Sequence, residues 1–248
     1  MRVTEKVIFN NAKVYTSANR KRMEQAMAET STGRRVVHPW DDPVAAGRIA
    51  FHKNQESQWN GLIKGANRSI SELQSADDAL DNIQKAVQRA YELAIQLQNE
   101  TYSASDRNSG AIELTTLKDE IIYFLNTSVG GRYVFGGISD DVPPFDSSGT
   151  FQGSNIQRVS EIAPGLTTES SIDVSKYMTA ASGGIDVPNA FEDLRIALDM
   201  NDMTGINNSI TDLKSCIQQV ANARAEAGTQ QQFFEIAVDT GLYIRDQE

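Results

Sequence analysis

Apolar residues recur every three or four positions through the first half of the chain, and this spacing predicts one long helix over residues 44–100. No proline interrupts the stretch between Pro43 and Pro143. The mean step is about 3.5 residues, the period of a coiled-coil seam, so we expect the helix to pair lengthwise with other helices. The seam consists of Ile63, Ala66, Ile70, Leu73, Ala76, Leu80, Ile83, Val87, Ala90, Ala94 and Leu97.

Later apolar seams predict the partners of this helix. Residues 101–104 break the pattern, and Ser105 is the predicted N-cap of a second helix that carries Asp106 in its first turn. Gly130 and Gly131 are predicted to stop this helix. The short connection implies an antiparallel return along the first helix. The second seam is Leu114, Leu117, Ile121, Phe124 and Leu125; a helix restarting at Pro188 carries Phe191, Leu194 and Ala197; the last long helix carries Ile206, Ile210, Leu213, Ile217, Val220 and Ala227.

The helical pattern disappears in the middle of the chain. Residues 132–137 have the composition of a short strand and turn. Of the 49 residues from 139 to 187, 21 are Gly, Pro, Ser or Thr, and residues 168–174 alternate in a way that favours a strand. We therefore predict a mainly α fold: an elongated antiparallel helical bundle with a small, exposed, acidic β-rich insert projecting from it.

The predicted domains follow from these changes of pattern. Residues 1–42 form an N-terminal arm and linker, residues 43–138 and 186–248 form the helical shaft, and residues 139–185 form the insert. The arm has a shallow helical pattern that asparagine, serine and threonine interrupt. Such a helix is too polar to be stable alone, so we expect it to need a partner helix or to be disordered.

The stretch 31–46 is a joint between arm and shaft. Gly33 can end a helix in a left-handed cap, and the residue before Pro39 favours extended backbone. Asp42 can then cap a new helix that has Pro43 at its first position. Two adjacent carboxylates, from Asp41 and Asp42, also suit the positive end of that helix dipole. The joint is thus predicted to be a helix stop, an extended link and a helix start.

Composition narrows the function classes. The net charge is −10, and residues 1–60 hold ten Lys/Arg against six Asp/Glu while the remainder holds 13 against 27. An acidic body argues against nucleic acid as a partner. No apolar run reaches the ~18 residues that a membrane span needs, and no apolar signal-peptide core follows Met1. Cys216 is the only cysteine and excludes an internal disulfide.

The candidate chemical groups favour structural roles. His38 and His52 are 14 residues apart and lack the spacing of a metal site. The pairs Asp41–Asp42 and Asp140–Asp141 could act as acid and base, but carboxylates in such positions usually cap helices or face solvent. No serine-nucleophile elbow, phosphate loop or Cys-x-x-Cys is present. We therefore predict no catalytic residue, no cofactor and no metal.

Four motifs carry a family resemblance. The joint is similar to the "STG-basic-basic-VV-x-P-x-DDP-x-AA" signature of the bacterial flagellin superfamily, and its proline-spaced form is closest to the hook–filament junction branch. Residues 131–137 resemble the "GRYlFaG" stretch of that branch, residues 151–153 its aromatic-x-Gly, and residues 224–228 its "RAELG" motif. The matching positions are Gly33, Arg34, Arg35, Pro39, Asp41, Asp42, Pro43, Arg132, Tyr133, Phe135, Gly136, Arg224, Glu226 and Gly228.

The resemblance implies a structural, non-enzymatic subunit of the bacterial flagellum. It implies a ring of identical copies that joins hook to filament, with the other junction protein and flagellin or hook-side proteins as neighbours. It also implies type III export without a cleavable signal peptide, with a cytoplasmic export chaperone, to an extracellular site. Flagellin itself is the nearest alternative, although Pro39, Pro43 and residues 132–137 favour the junction branch. A coiled-coil hydrolase that uses Asp140 or Asp141 is a more distant alternative.

Two features depart from the family pattern. Only twenty residues follow Gly228, where the family continues for many tens, so we expect a truncated sequence, with a natural short variant as the alternative. We hypothesise that residues 1–30 therefore lack their partner helix and are disordered or packed unnaturally in an isolated subunit. His38 and Trp40 replace the usual small polar residues. For Arg34 and Arg35, solvation is the simpler expectation, and a salt bridge to a neighbouring subunit is a hypothesis.

Overall fold

The computed structural model describes residues 2–247, with side chains from Glu5 onward. Its elements are α1 (Arg2–Thr32), α2 (Pro43–Leu97), α3 (Ala104–Leu125), β1 (Ser128–Val129), β2 (Arg132–Tyr133), β3 (Val159–Ala163), β4 (Leu166–Glu169), α4 (Ser175–Met178), a 3₁₀ turn (Ala180–Ser182), α5 (Val187–Asp199) and α6 (Met203–Gln247). Two compact units divide the chain, one extending to Gln58 and the other spanning Trp59–Gln247. The mainly helical fold with a small β-containing insert is as predicted.

The first unit contains α1, the joint and the start of α2. The predicted helix in the arm is present, and α1 ends at Thr32. Its side chains from Glu5 to Met27 are all exposed, including Phe9 and Tyr15. The structure thus forms a helix where the sequence allowed disorder, but the helix buries almost none of its apolar surface. Tertiary packing normally supplies most helical stability, and α1 has little of it in the described part of the chain.

The second unit is an antiparallel helical bundle, as predicted. The antiparallel course of α6 along α2 is fixed by contacts at three levels: Gln98 with Asn207 near one end, Arg224 with Asp77 in the middle, and Arg245 with Asn60 near the other. The predicted seams form its core. The buried residues shared by the long helices include Leu73, Leu80, Ile83, Val87, Leu114, Ile121, Phe191, Leu194, Leu213, Val220 and Phe234.

Two predicted helix ends are wrong by a few residues. Ser103, not Ser105, caps α3: its side chain accepts a hydrogen bond from Asp106 N–H, and the Asp106 carboxylate accepts one from Ser103 N–H in return. This reciprocal capping box satisfies two helix-end donors at once, which a cap at Ser105 could not do. Helix α3 ends at Leu125, before the two glycines. Gly130 and Gly131 instead form the positive-φ turn between β1 and β2.

A buried arginine fastens the end of the bundle where α2 turns into α3. Arg107 is only 4% exposed. Its guanidinium donates hydrogen bonds to Leu97 O at 2.9 Å, to Asn99 O at 3.1 Å and to Asn201 Oδ1 at 2.6 Å. The first two acceptors lie in the α2–α3 connection and the third follows α5, so one side chain joins two turns.

The insert packs against the bundle more closely than predicted. Its strands β3 and β4 are short and pair in an antiparallel arrangement, as β1 and β2 do just before the insert. Its apolar side chains belong to the same core as the helices; Phe145, Ile172, Val174 and Met178 are at most 2% exposed. The sequence suggested an exposed, projecting insert because glycine, serine and proline dominate it, but these four residues supply enough apolar area to seat it on the helices.

Candidate assembly site

The joint has the three-part geometry predicted for it. Gly33 has φ of +65° and ends α1 in the left-handed conformation. Asp42 caps α2 by accepting a hydrogen bond from Ala45 N–H at 3.0 Å, and Pro43 is the first residue of the helix. The missing N–H of proline costs nothing at that position, because the first helical N–H groups have no partner within the helix. These three predictions are confirmed.

Asp41 and Asp42 have different roles, and both are structural. The Asp41 carboxylate accepts a hydrogen bond from His38 N–H at 2.8 Å and closes a tight turn around Pro39. Within this turn the rings of His38 and Trp40 stack with centroids 4.5 Å apart. Asp42 forms an ion pair with Arg35 at 3.6 Å in addition to its capping bond. The two unusual aromatic residues therefore support the turn that presents the helix start.

A cleft of about 620 Å³ opens between the extended link and the first turns of α2. Val36 and Val37 form one wall, and Ile49 contributes to the other. Arg34 and Lys53 also line it, together with Arg35, and all three cations are exposed. The lining of the cleft thus combines apolar side chains with three positive charges. We call it the joint cleft; its lining is Arg34, Arg35, Val36, Val37, His38, Pro39, Ala45, Ala46, Ile49, Ala50 and Lys53.

The second motif forms a turn just before the insert. Phe135 is 1% exposed and anchors this turn in the core. Tyr133 N–H donates to Asp140 O at 2.8 Å, and the Arg132 guanidinium lies 3.6 Å from the Asp140 carboxylate. A Cβ on Gly136 would lie 2.6 Å from Ser139 O, so this close approach of two backbone segments requires glycine.

The fourth motif, residues 224–228, lies on α6 and holds two different elements. Arg224 reaches across to α2 and bonds Asp77 at 2.9 Å and Asp81 at 2.6 Å. These carboxylates raise the pKa of Arg224. Glu226 points toward the insert, where it accepts a hydrogen bond from the Tyr177 hydroxyl at 2.5 Å.

Lys176 also meets Glu226, at 3.1 Å, and its ammonium lies 4.8 Å from the Tyr177 ring centroid. Tyr177 and Glu226 together raise the pKa of Lys176, and burial is the main reason that the pKa of Tyr177 is raised. The glutamate of the motif is therefore a tether between α6 and the insert. Gly228, by contrast, faces open space and has no packing role within the described chain.

Sequence reasoning missed the residue pair that connects the motif at residues 131–137 with the motif at residues 224–228. Arg158 bonds Asp140 at 2.7 Å within the insert and Glu72 of α2 at 2.8 Å. Its neighbour Gln157 donates to Ser171 O at 2.8 Å and to Glu226 at 3.4 Å. This dipeptide thus fastens the insert to both α2 and α6. A signal was present: Arg158 is one of only two cations among residues 139–187, and a cation in an acidic segment commonly has a carboxylate partner.

The described residues do not favour catalysis. They contain no cluster of three His, Cys, Asp or Glu side chains able to hold a metal ion. The Asp140 carboxylate forms an ion pair with Arg158 at 2.7 Å. A carboxylate held in this way is unsuited to form a general acid–base pair with Asp141. Within residues 2–247, no helix has the length and apolar character needed to cross a membrane.

The chain is similar to flagellar proteins in sequence. The model of the bacterial flagellin N-terminal helical region matches residues 3–140. Flagellar hook-associated protein 3 of Escherichia coli (strain K12) is 31% identical over 127 residues, which are 50% of this chain and 40% of that protein. Flagellar hook-associated protein 3 of Salmonella typhimurium is 25% identical over 225 residues, which are 82% of this chain and 71% of that protein. The chain thus spans less than half of one relative and about seven-tenths of the other.

Solved structures agree on the fold. A Vibrio parahaemolyticus protein described as flagellar hook-associated has a TM-score of 0.77 at 18% identity, over 85% of this chain and 98% of that one. Bacillus cereus flagellin has a TM-score of 0.53 at 23% identity, over 72% of this chain and 88% of that one. At such identities the likeness shows a shared fold. Because the family model covers more than half of its residues, the chain belongs to the bacterial flagellin family.

Proposed function

We propose that this protein is a non-catalytic structural subunit of the bacterial flagellum that joins the hook to the filament. The observation that carries the proposal is the extent of the similarity to the Salmonella hook-associated protein 3. That similarity covers 82% of the chain and so extends well beyond residues 3–140, which the family model matches. The mechanism is geometric: a helical bundle sets the spacing of copies, and exposed segments form contacts when the subunits assemble.

The exposed arm supports an assembly role. Helix α1 presents Val7, Ile8, Phe9, Val14 and Tyr15 to solvent, each more than half exposed. A helix that leaves such residues uncovered gains little stability from its own subunit. We infer that residues 1–42 act as an arm and linker that orders fully on assembly. We infer also that residues 43–138 and 186–248 act as the shaft and residues 139–185 as the insert.

Hydrogen exchange tests the arm directly. Backbone amides of α1 should exchange far faster in the isolated subunit than those of the α2 seam around Ile83, which is fully buried. Assembled hook–filament complexes should show protection of the same α1 amides. Protection of α1 in the isolated subunit equal to that of the α2 core would contradict the proposed role of the arm.

The proposed assembly includes several partners. Copies of the chain form a ring, with the second junction protein and flagellin or hook-side proteins as neighbours. A cytoplasmic chaperone accompanies the subunit before type III export, and the working site is the extracellular flagellum. The proposed joint residues are Gly33, Arg34, Arg35, Pro39, Asp41, Asp42 and Pro43.

Electron microscopy of a deletion strain is the decisive test of the function. Cells without this protein should carry hooks that lack stable filaments, and complementation should restore the filaments. Normal filaments on the deletion strain would overturn the assignment.

Flagellin is the second candidate function, because the same fold occurs in Bacillus cereus flagellin. Immunogold labelling separates the two functions. A junction subunit labels only the hook-proximal end of the filament, whereas a filament subunit labels its whole length.

A further inference from the structure

Helix α6 carries a second apolar stripe that faces away from the bundle. Phe233, Ile236 and Tyr243 are 56%, 55% and 66% exposed. Their spacing of three and seven residues places them on one side of the helix, while Phe234 and Gly241 belong to the buried side. Three large apolar side chains within eleven residues, two of them aromatic, form the kind of exposed helix face that commonly marks an interaction surface.

Carboxylates follow one edge of this stripe. Glu235, Asp239 and Asp246 succeed one another at four and seven residues, so they form a line beside the apolar side chains. All three are exposed. Glu235 accepts a hydrogen bond from the neutral Gln231 amide at 2.8 Å, and Asp246 pairs with the adjacent Arg245 at 2.7 Å. We call the stripe and its acidic edge the α6 outer face.

The joint cleft has the complementary character. Its lining includes the apolar Val36, Val37 and Ile49 and the positive Arg34, Arg35 and Lys53. The Arg35 side chain is 79% exposed and its contact with Asp42 is long, at 3.6 Å, so its charge remains available to a partner. A cleft lined by apolar and basic side chains is suited to an amphipathic helix with an acidic edge.

We propose that the α6 outer face of one copy of this chain binds in the joint cleft of a second copy. This inference rests on the proposed function and identifies the two surfaces that form the contact between subunits. The surfaces are different, so the contact is head-to-tail, and repetition of a head-to-tail contact produces a ring or a helix of copies. The apolar stripe supplies most of the buried area, and the charges set the orientation and favour this partner over others.

Cysteine cross-linking tests the contact. Cys216 is buried and is first replaced by serine, so that introduced thiols react alone. One tagged copy carries Ile49→Cys in the cleft, and a differently tagged copy carries Ile236→Cys on the α6 outer face. The matched control replaces Ile236→Cys with Ile112→Cys, a position on α3 that is 65% exposed. Cross-linking is followed both with the purified full chain at rising concentration and in hook–filament complexes isolated from cells.

The expected result is a disulfide between positions 49 and 236 at about tenfold higher yield than between positions 49 and 112, the ratio that corresponds to about 1.4 kcal/mol. Equal yields in both preparations would overturn the proposal. A cross-link from position 236 to a different polypeptide, rather than to a second copy, would overturn it as well.

Charge reversal gives an independent readout. Arg34→Glu with Arg35→Glu should lower the 49–236 yield several-fold, because attraction to the acidic edge becomes repulsion. Glu235→Arg with Asp239→Arg on the other copy should restore it. Arg20→Glu on α1, where the arginine side chain is 78% exposed, is the matched control and should leave the yield unchanged. A failure of the swapped charges to restore the yield would contradict the assigned pairing.

Failure of this inference is distinguishable from failure of the proposed function. If the deletion strain loses its filaments but the Arg34→Glu, Arg35→Glu variant assembles normally and shows no change in cross-linking, only the assigned surfaces are wrong. If the deletion strain keeps normal filaments, the junction function itself is wrong.

Discussion

Removal of the Arg158 side chain should destabilise the second unit strongly, because Glu72 loses its ion pair with Arg158 and Asp140 is left with the longer, 3.6 Å contact to Arg132. Arg158 and Glu72 side chains are each 13% exposed and the Asp140 side chain 17%, with bonds of 2.8 and 2.7 Å. Breaking a buried ion pair by removing one partner costs about 3–5 kcal/mol. For Arg158→Met we take the lower end, about 3 kcal/mol, since the three side chains are slightly exposed and solvent reduces the cost of an unpaired charge.

The assay is urea denaturation monitored by circular dichroism. With a slope of about 3 kcal/mol per molar urea, a loss of about 3 kcal/mol lowers the midpoint by about 1 M. The matched control is Arg89→Met. Arg89 also contacts a carboxylate, Glu113, at 2.8 Å, but the two side chains are 49% and 40% exposed. Its removal should lower the midpoint far less than Arg158→Met does, because solvent screens exposed pairs.

A triple variant tests the physical reason. Glu72→Gln and Asp140→Asn added to Arg158→Met remove the uncompensated charges, so the triple variant should be more stable than Arg158→Met alone. The reasoning is refuted if Arg158→Met unfolds within about 1 kcal/mol of the wild type, or if the triple variant is no more stable than the single one.

Three further outcomes are expected. Gly110→Ala should destabilise the fold by about 1–3 kcal/mol in urea denaturation, since the new Cβ would overlap the buried Leu97 side chain. Gly228→Ala meets open space and should stabilise the fold by about 0.5–1 kcal/mol. The reverse effect at either position would contradict this reasoning. Arg195 lowers the pKa of Glu192 to about 2. Ionised Glu192 therefore stabilises the fold above its unfolded pKa near 4.5, and this contribution is lost as the pH falls toward 2. If the stability difference between the wild type and Glu192→Gln stays constant over this pH range, the contribution is excluded. Burial raises the pKa of Cys216 to about 12, so iodoacetamide at pH 8 should label it only after unfolding, and rapid labelling of the folded chain would show the packing to be wrong.

The network around Arg158 also connects two family motifs that lie far apart in sequence. Asp140 follows the Arg132–Gly136 motif, and Glu226 lies in the α6 motif. Gln157 and Arg158 bind one of these carboxylates each, so the insert joins both motifs into one polar network. Such networks are sensitive to the loss of any member, since the remaining buried groups lose their partners.

Local sequence signals were sufficient for the helices and the joint. The seam period predicts α2 and its antiparallel partners, because a helix that buries one stripe must show that stripe in its sequence. Gly33, Asp42 and Pro43 predict the helix stop and start from backbone geometry alone. Each of these features depends on residues within one or two turns of each other, so it can be read without knowing the fold.

Features that depend on distant residues required the tertiary structure. The close packing of the insert depends on Phe145, Ile172 and Met178 meeting helices far away in the chain. The partners of Arg158 are 18 and 86 residues distant. Sequence patterns record local periodicity, whereas ion pairs and shared cores depend on which segments folding brings together.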